Sequence, residues 1–450
     1  MGAVETDVLV VGGGLVGLST AMFVKQMQPR KSVRLIEKDS VVAAQQSGHN
    51  SGVLHAGIYY EPGSLKAKFC VEGNRALGKL CERFDVPVVR CGKVIVANTD
   101  VEKDRLERLH DRGVDNGVKG LRLVSRRELR EIEPHVEGSR ALYAPESAIV
   151  DFAKVAEIYA TIFRHAGGEV HLDTEFLSAE LTEGRHRVVT TQQEYNAKLI
   201  INCAGLHADV VARKTGNPSE LRVIPFRGEY YVLREDRRDL VKGLIYPVPN
   251  PTLPFLGVHF TSRVDGAVEA GPNAILATSR EGYSRRDFSF KDVASTLSFP
   301  GFWLLIARNI KPGISELQRV LSKRAFVEGL QHLIPEIQEE DLEPGGSGVR
   351  AMAVDRRGRM IDDFHIEESP GAIHVLNAPS PAATYFVHDR RARWPTAHRL
   401  LRLTSPRLTH VARCGSLRAM PRCSVPALPR VEVPRYSHNL RSSWRPSPVR

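Results

Sequence analysis

The chain is poor in paired cysteines and in long apolar runs, and each shortage removes a class of protein. Its 450 residues hold six cysteines, Cys70, Cys81, Cys91, Cys203, Cys414 and Cys423. No two form a CxxC pair and none stands at ligand spacing from a histidine, so neither a disulfide framework nor a zinc site is indicated and no metal is expected. They read as reduced, structural thiols. The longest apolar run, FPGFWLLIA at 299–307, falls well short of the roughly 18 residues that a spanning helix needs. The N-terminus shows no charged-then-apolar leader pattern, so secretion and membrane spanning are not expected. What remains is a globular protein, 42% apolar and 26% charged, long enough for two or three domains. No internal repeat points to a solenoid or propeller.

Lysine is absent from one stretch. Residues 385–450 hold 14 Arg, no Lys, eight Pro and only Asp389 and Glu432 as acids, giving +12 there against −1 for residues 1–384. The basicity thus belongs to the tail, and the chain as a whole is not read as a nucleic-acid binder. A proline-broken segment without hydrophobic period cannot build a packed domain. It reads as a disordered or abnormal C-terminus, as an alternative reading frame of a GC-rich gene would give; the competing reading is a basic arm for RNA or anionic lipid.

What is present is strongest at the start. DVLVVGGGLVGLSTAMFV places a buried-type strand (Asp7 to Val11) before Gly12-x-Gly14-x-x-Gly17 and an apolar helix, and SVRLIEKD supplies a second strand ending at Glu37. This is a dinucleotide-binding βαβ unit. Gly12 permits the tight turn, Gly14 lets backbone approach a pyrophosphate, and Gly17 lets helix and strand pack closely. Glu37 can accept hydrogen bonds from ribose hydroxyls. The motif leaves the nucleotide open. Further strands, AKLIINCAGLHAD (197–209) and GAIHVLNAPSPAAT (371–384), also run into small residues, Ala204 and Gly205 in the first, as strand ends meeting one ligand do. Between them GKVIVANT, IPFRGEYYVL and DGAVEAGPN alternate as an antiparallel sheet does, and 286–338 reads as mainly helical. The architecture is therefore α/β, or α+β overall, and discontinuous.

Together VVGGGLVGLS, GHNSGVLHAGIYY, INCAGLHAD, PFRGEYY, YPVPNPTLPFLGVHFT, GPNAILA, GVRAMAVDRRGRMIDDF and VLNAPSPAAT resemble the L-2-hydroxyglutarate dehydrogenases, within the D-amino-acid oxidase type of FAD-dependent oxidoreductases. The resemblance covers about residues 5–384. It implies a Rossmann-like FAD-binding domain (1–88, 146–220 and 340–384) interleaved with an antiparallel-sheet substrate domain (89–145 and 221–339). It also implies oxidation of L-2-hydroxyglutarate to 2-oxoglutarate, with electrons passed to a non-nicotinamide acceptor such as a membrane quinone.

The stretch SGHNSGVLHAGIYY at 47–60 then has a physical purpose. A flavin ring needs backbone at close range, which Ser47, Gly48, Ser51 and Gly52 allow, with His49 beside the cofactor. The same resemblance adds Leu15, Val16, Lys38, Gly348, Asn377, Pro379 and Ser380 to the cofactor set. Oxidising a 2-hydroxy acid requires a base for the hydroxyl proton, for which His55 and His259 are the candidates. A cation must hold the carboxylates; Arg350 comes first, because related flavoproteins carry an arginine at that loop, and Arg227 second. Tyr59 and Lys66 are weaker contacts.

One departure concerns the end of the resemblance. Relatives continue past NAPSPAAT with small and hydroxyl residues into a helix facing the flavin, whereas here Tyr385 begins the arginine-rich tail, which puts the cofactor's last clamp in question. Two other readings are an amine or amino-acid oxidase of the same fold, and a catalytically impaired flavoprotein with a basic binding tail. The start of the chain close to its first strand suits a bacterial or processed protein. A cytoplasmic location is expected, peripheral on the inner membrane face, or mitochondrial in a eukaryote.

Overall fold

Two large sheets organise the chain. The computed structural model describes residues 2–250, 257–309, 322–379 and 382–385. Ser380, Cys414, Cys423, the middle of YPVPNPTLPFLGVHFT and the tail beyond Tyr385 lie outside the described residues.

The first sheet has eight strands, and its centre is parallel. Ala372–Asn377, Glu194–Asn202, β1 (Val4–Val11), β2 (Val33–Ile36) and Glu169–His171 lie side by side in that order. Period two explains why β1 is a near-continuous apolar run. Val8 and Val10 point into a core with α1 (Leu15–Met27) and the helix Phe152–His165, while Leu9 and Val11 enter a second core with Tyr195 and Val211. Covering both faces removes water from Val8, Leu9, Val10 and Val11, about 1.5–3 kcal/mol for each large aliphatic side chain. Strand Glu194–Asn202 is shared: its first half pairs with the hairpin strand Arg185–Thr190, its second half with Ala372–Asn377. Parallel strands with helices between them place the ligand crevice at their carboxyl ends.

The second sheet has nine strands. Its pairs are antiparallel except for Lys93–Ala97 beside Leu244–Pro247, which is parallel. The order across its middle is Arg222–Leu233, Val268–Gly271, His259–Ser262, Leu244–Pro247, Lys93–Ala97. Strand Leu342–Val354 pairs with Arg222–Leu233 along almost its whole length, so this part of the 340–384 segment hydrogen-bonds with the second sheet, not the first. The reason is register: Gly348 faces Gly228 and Arg350 faces Phe226, which lets a glycine-rich stretch lie flat against its neighbour. Within 286–338 the described helices are Phe290–Leu297, Pro300–Arg308 and Lys323–Gln331. A buried ion pair crosses between regions flanking the two sheets, Arg280 holding fully buried Asp209 by bonds of 2.7 and 3.1 Å.

The turn from β1 into α1 is tight. Gly12 has φ +110°, and a Cβ there would stand 2.6 Å from the Cys203 carbonyl oxygen. A Cβ on Gly17 would stand 1.9 Å from the Gly12 carbonyl oxygen. Gly17→Ala is therefore expected to destabilise the fold by about 1–3 kcal/mol or more, read as a lowered melting temperature with reduced FAD content; an unchanged melt would contradict the packing role.

Candidate active site

A single cavity of about 570 Å³ runs from the end of β2, past the start of α1, to the second sheet. At one end lie Glu37, Lys38, Thr174, Phe176 and Lys214; at the other His49, His55, Tyr230, Tyr246, His259 and Arg350. Between them the wall is mostly small residues and backbone, including Gly12, Gly14, Ala204, Gly205, Gly348 and Ala378.

The middle is built for an anion. Helix α1 is capped by Gly14 without a side-chain bond, so its first amides face the cavity, apart from that of Leu15, which Ser47 Oγ accepts at 2.9 Å. Uncapped first-turn N–H groups and the helix dipole favour phosphate. Glu37 is 8% exposed and already accepts the Gly13 amide at 2.5 Å and the Asp39 amide at 3.0 Å. Burial raises its pKa and the two amides oppose that. Beyond it, Lys38 binds Glu281 at 3.0 Å and Asp39 at 2.9 Å, while His207 Nε2 meets Glu281 at 2.8 Å. The His207 bond, with Lys38, outweighs burial and brings the Glu281 carboxyl down to about 2. This cluster draws the segment after Ile275–Leu276 over the nucleotide end of the cavity.

The opposite end is chemical. His259 begins its strand, 5% exposed, with Nδ1 2.8 Å from the Gly257 carbonyl. A carbonyl only accepts, so Nδ1 carries the proton and Nε2 keeps its lone pair. Burial, opposed by that bond and assisted by Lys93 and Arg350, brings the imidazole pKa down to about 3. His55 is likewise pushed well below the ordinary value by burial, then by Lys93 and His259, and its Nδ1 has no hydrogen-bond partner among the described residues. Arg350 hydrogen-bonds the Tyr230 hydroxyl. His49 stacks on Tyr283 at 4.1 Å, and its carbonyl would meet a Cβ on Gly348 at 2.7 Å, which is why glycine stands there.

The sequence-based residues divide cleanly. Gly12, Gly14, Leu15, Val16, Glu37, Lys38, Ser47, His49, Ser51, His55, Ala204, Gly205, His259, Gly348, Arg350 and Asn377 line the cavity. Gly17, Gly48 and Gly52 stand behind its wall, where a Cβ would strike the carbonyl oxygens of Gly12, Ala43 and Val150. Pro379 is not among the lining residues. Arg227 is turned away, bonded to Glu229 at 3.2 Å and to the Ser284 carbonyl at 2.7 Å. Tyr59 is packed against Lys93 outside the lining, and Lys66 pairs with Asp362 at 3.8 Å. At the end of the resemblance, Ala382–Tyr385 forms a helical turn whose Ala382 and Ala383 line the cavity. Sequence reasoning missed Tyr230, Tyr246, Lys214 and Glu281. Of these, Tyr230, within PFRGEYY, and Tyr246, which opens YPVPNPTLPFLGVHFT, stood in stretches already singled out.

The residues present fit FAD: a cradle that a Cβ would fill, an anion-seeking helix end, an acid at the strand end and small residues where a flat ring would lie. A parallel sheet with this loop, crossed by a second sheet carrying ionisable side chains, defines a flavin-dependent oxidoreductase. The FAD-dependent oxidoreductase (DAO) family model matches residues 7–387. A curated relative from Indibacter alkaliphilus, named L-2-hydroxyglutarate dehydrogenase, is 48% identical over 84% of this chain and 96% of its own length. The mitochondrial L-2-hydroxyglutarate dehydrogenase of Homo sapiens is 41% identical over 84% and 85%. The fold resembles that of dithionite-reduced L-α-glycerophosphate oxidase from Mycoplasma pneumoniae with FAD bound, at a TM-score of 0.69 and 23% identity over 89% of this chain and 94% of that one. The chain belongs to the L-2-hydroxyglutarate dehydrogenases, within the FAD-dependent oxidoreductase family.

Glu37→Gln is expected to weaken FAD binding by about 1.5–3 kcal/mol, the worth of a hydrogen bond to a charged acceptor, while the FAD-loaded fraction keeps its reduction rate. Titration of apoprotein with FAD, followed by fluorescence, checks this.

Proposed function

We propose that this chain oxidises L-2-hydroxyglutarate to 2-oxoglutarate with bound FAD, at the His55–His259–Arg350 end of the cavity. The carrying observation is His259, whose Nδ1–H is fixed to the Gly257 carbonyl, leaving the Nε2 lone pair free on a cavity-lining residue. Bound FAD supplies the hydride acceptor. The glycine loop, Glu37 and the amides of α1 hold its dinucleotide part, and Ala204, Gly205 and Gly348 admit its ring. Arg350 binds the carboxylate next to the reacting carbon, the planar fork suiting a bidentate contact. His259 Nε2 takes the hydroxyl proton as hydride leaves the same carbon. Enclosure by Tyr230, Tyr246 and the histidines keeps water from the proton's path.

Anaerobic addition of L-2-hydroxyglutarate to the FAD-loaded protein is expected to bleach the flavin band. An amino acid bleaching it instead would favour the amine oxidase reading. His259→Gln should cost about 10²–10⁴-fold in reduction rate, and His55→Gln less. Because burial keeps His259 unprotonated down to about pH 3, its protonation imposes no limb near the ordinary histidine value. A sharp fall in the parent's reduction rate below about pH 6.5, where a free histidine titrates, would contradict this base.

The acceptor in this reading is a membrane quinone. Among the described residues no helix is long and apolar enough to cross a membrane. What supports surface contact is a stretch, 285–308, that exposes Phe288 (66%), Phe290 (79%) and Trp303 (56%) together with Arg286, Lys291 and Arg308. Exposed aromatics with cations nearby in sequence suit an anionic lipid surface. Vesicles of phosphatidylglycerol should float the parent chain, and F290S with W303S should abolish flotation without altering reduction by substrate.

A further inference from the structure

Lys93 opens a strand of the second sheet and is 1% exposed. Its neighbours in charge are the thiols Cys70 and Cys91, and no ion pair holds it among the described residues. Burying a lysine without a carboxylate is unfavourable, and such groups cluster where function needs them. Its Nζ lies 3.9 Å from the Tyr246 ring centroid and 5.3 Å from that of Tyr59. Tyr246 in turn stacks on His259, with centroids 3.8 Å apart and planes 22° from parallel.

The sheet order creates this stack. Leu244–Pro247 lies between Lys93–Ala97 and His259–Ser262, so ammonium and imidazole reach Tyr246 from opposite sides. Tyr246 and His259 line the cavity and Lys93 does not. We propose that Lys93 is a positioning residue: a cation behind the Tyr246 wall that fixes the Tyr246–His259 stack and draws the second carboxylate of a dicarboxylate substrate to that end of the cavity. This rests on the functional reading above and answers what it leaves open. One guanidinium, Arg350, can hold one carboxylate, and Arg227 is engaged with Glu229. A field acting through a ring needs no contact, because charges in a low-dielectric interior act over several ångströms.

The groups around Lys93 differ in how they titrate. Burial pushes Cys70 of the helix Leu65–Arg83 upward, Cys91 to about 11, and Tyr59 and Tyr246 upward, so all stay neutral in the physiological range. Burial pushes His55 and His259 downward, so they too are neutral. Lys93 itself is brought down to about 7 by burial. Its cation is therefore in place below that pH and lost as pH rises through it.

The test is equilibrium binding to the FAD-loaded full chain, read from the flavin spectrum, with 2-oxoglutarate and with 2-oxobutyrate, which lacks the distal carboxylate. The parent should prefer the dicarboxylate, and that binding should weaken by up to tenfold per pH unit above about 7. K93M should lose at least about tenfold in affinity for 2-oxoglutarate, change little toward 2-oxobutyrate, and lose the pH dependence; K93R should restore the preference. Equal losses for both ligands with the pH dependence intact would overturn the proposal and leave Lys93 a packing residue. So would a parent without dicarboxylate preference, a result that stands even if K93M fails to fold. Failure of the functional reading shows separately, as a parent chain that L-2-hydroxyglutarate does not bleach.

Discussion

Everything in this molecule hangs on how closely α1 approaches the end of β1. That approach requires a residue without a side chain at Gly17, because any Cβ would overlap the Gly12 carbonyl oxygen. Once helix and strand are in contact, the first amides of α1 open onto the crevice beside the ends of β2 and Glu194–Asn202. Glu37 and Ala204 then flank the same point without further adjustment. Helix dipole, strand-end acid and small neighbouring residues become one anion site because a single steric constraint aligned them.

The second sheet contributes differently. It brings no glycine loop, and its register sets side chains at graded depths: His259 and Tyr246 on the cavity wall, Lys93 one strand further back. Burial acts on these groups in opposite senses, keeping imidazoles basic in form and phenols and thiols protonated. In the proposed reaction the substrate hydroxyl would meet a neutral imidazole there, with Arg350 on the same cavity wall.

Much of the first sheet was legible because its constraints are local. The glycines, Glu37 and the strand ends at Ala204 and Asn377 carry turn and packing requirements within a few residues of sequence. The second sheet's contributions were legible by resemblance and only in part. Arg350 and Arg227 look alike in sequence, and only the pairing of Leu342–Val354 against Arg222–Leu233 shows one reaching the cavity while the other meets Glu229. Tyr59 reads as a cavity residue beside His55, yet tertiary packing turns it onto Lys93. Lys93 carried a faint signal, a charge at the head of the apolar strand KVIVA. Glu281 carried none, since its partners Lys38 and His207 come from distant stretches of chain.

That carboxylate has a consequence of its own. Glu281 fastens Lys38 and His207 across the nucleotide end, and its own pKa sits near 2. A carboxyl held below its unfolded value of about 4.3 contributes its stabilisation above that value and surrenders it as pH falls toward the folded one. The fastening is thus in force through the whole neutral range and is undone only in strong acid. The contact that ties the segment around Glu281 to Lys38 and His207 is a clasp that ordinary metabolic swings in acidity leave shut.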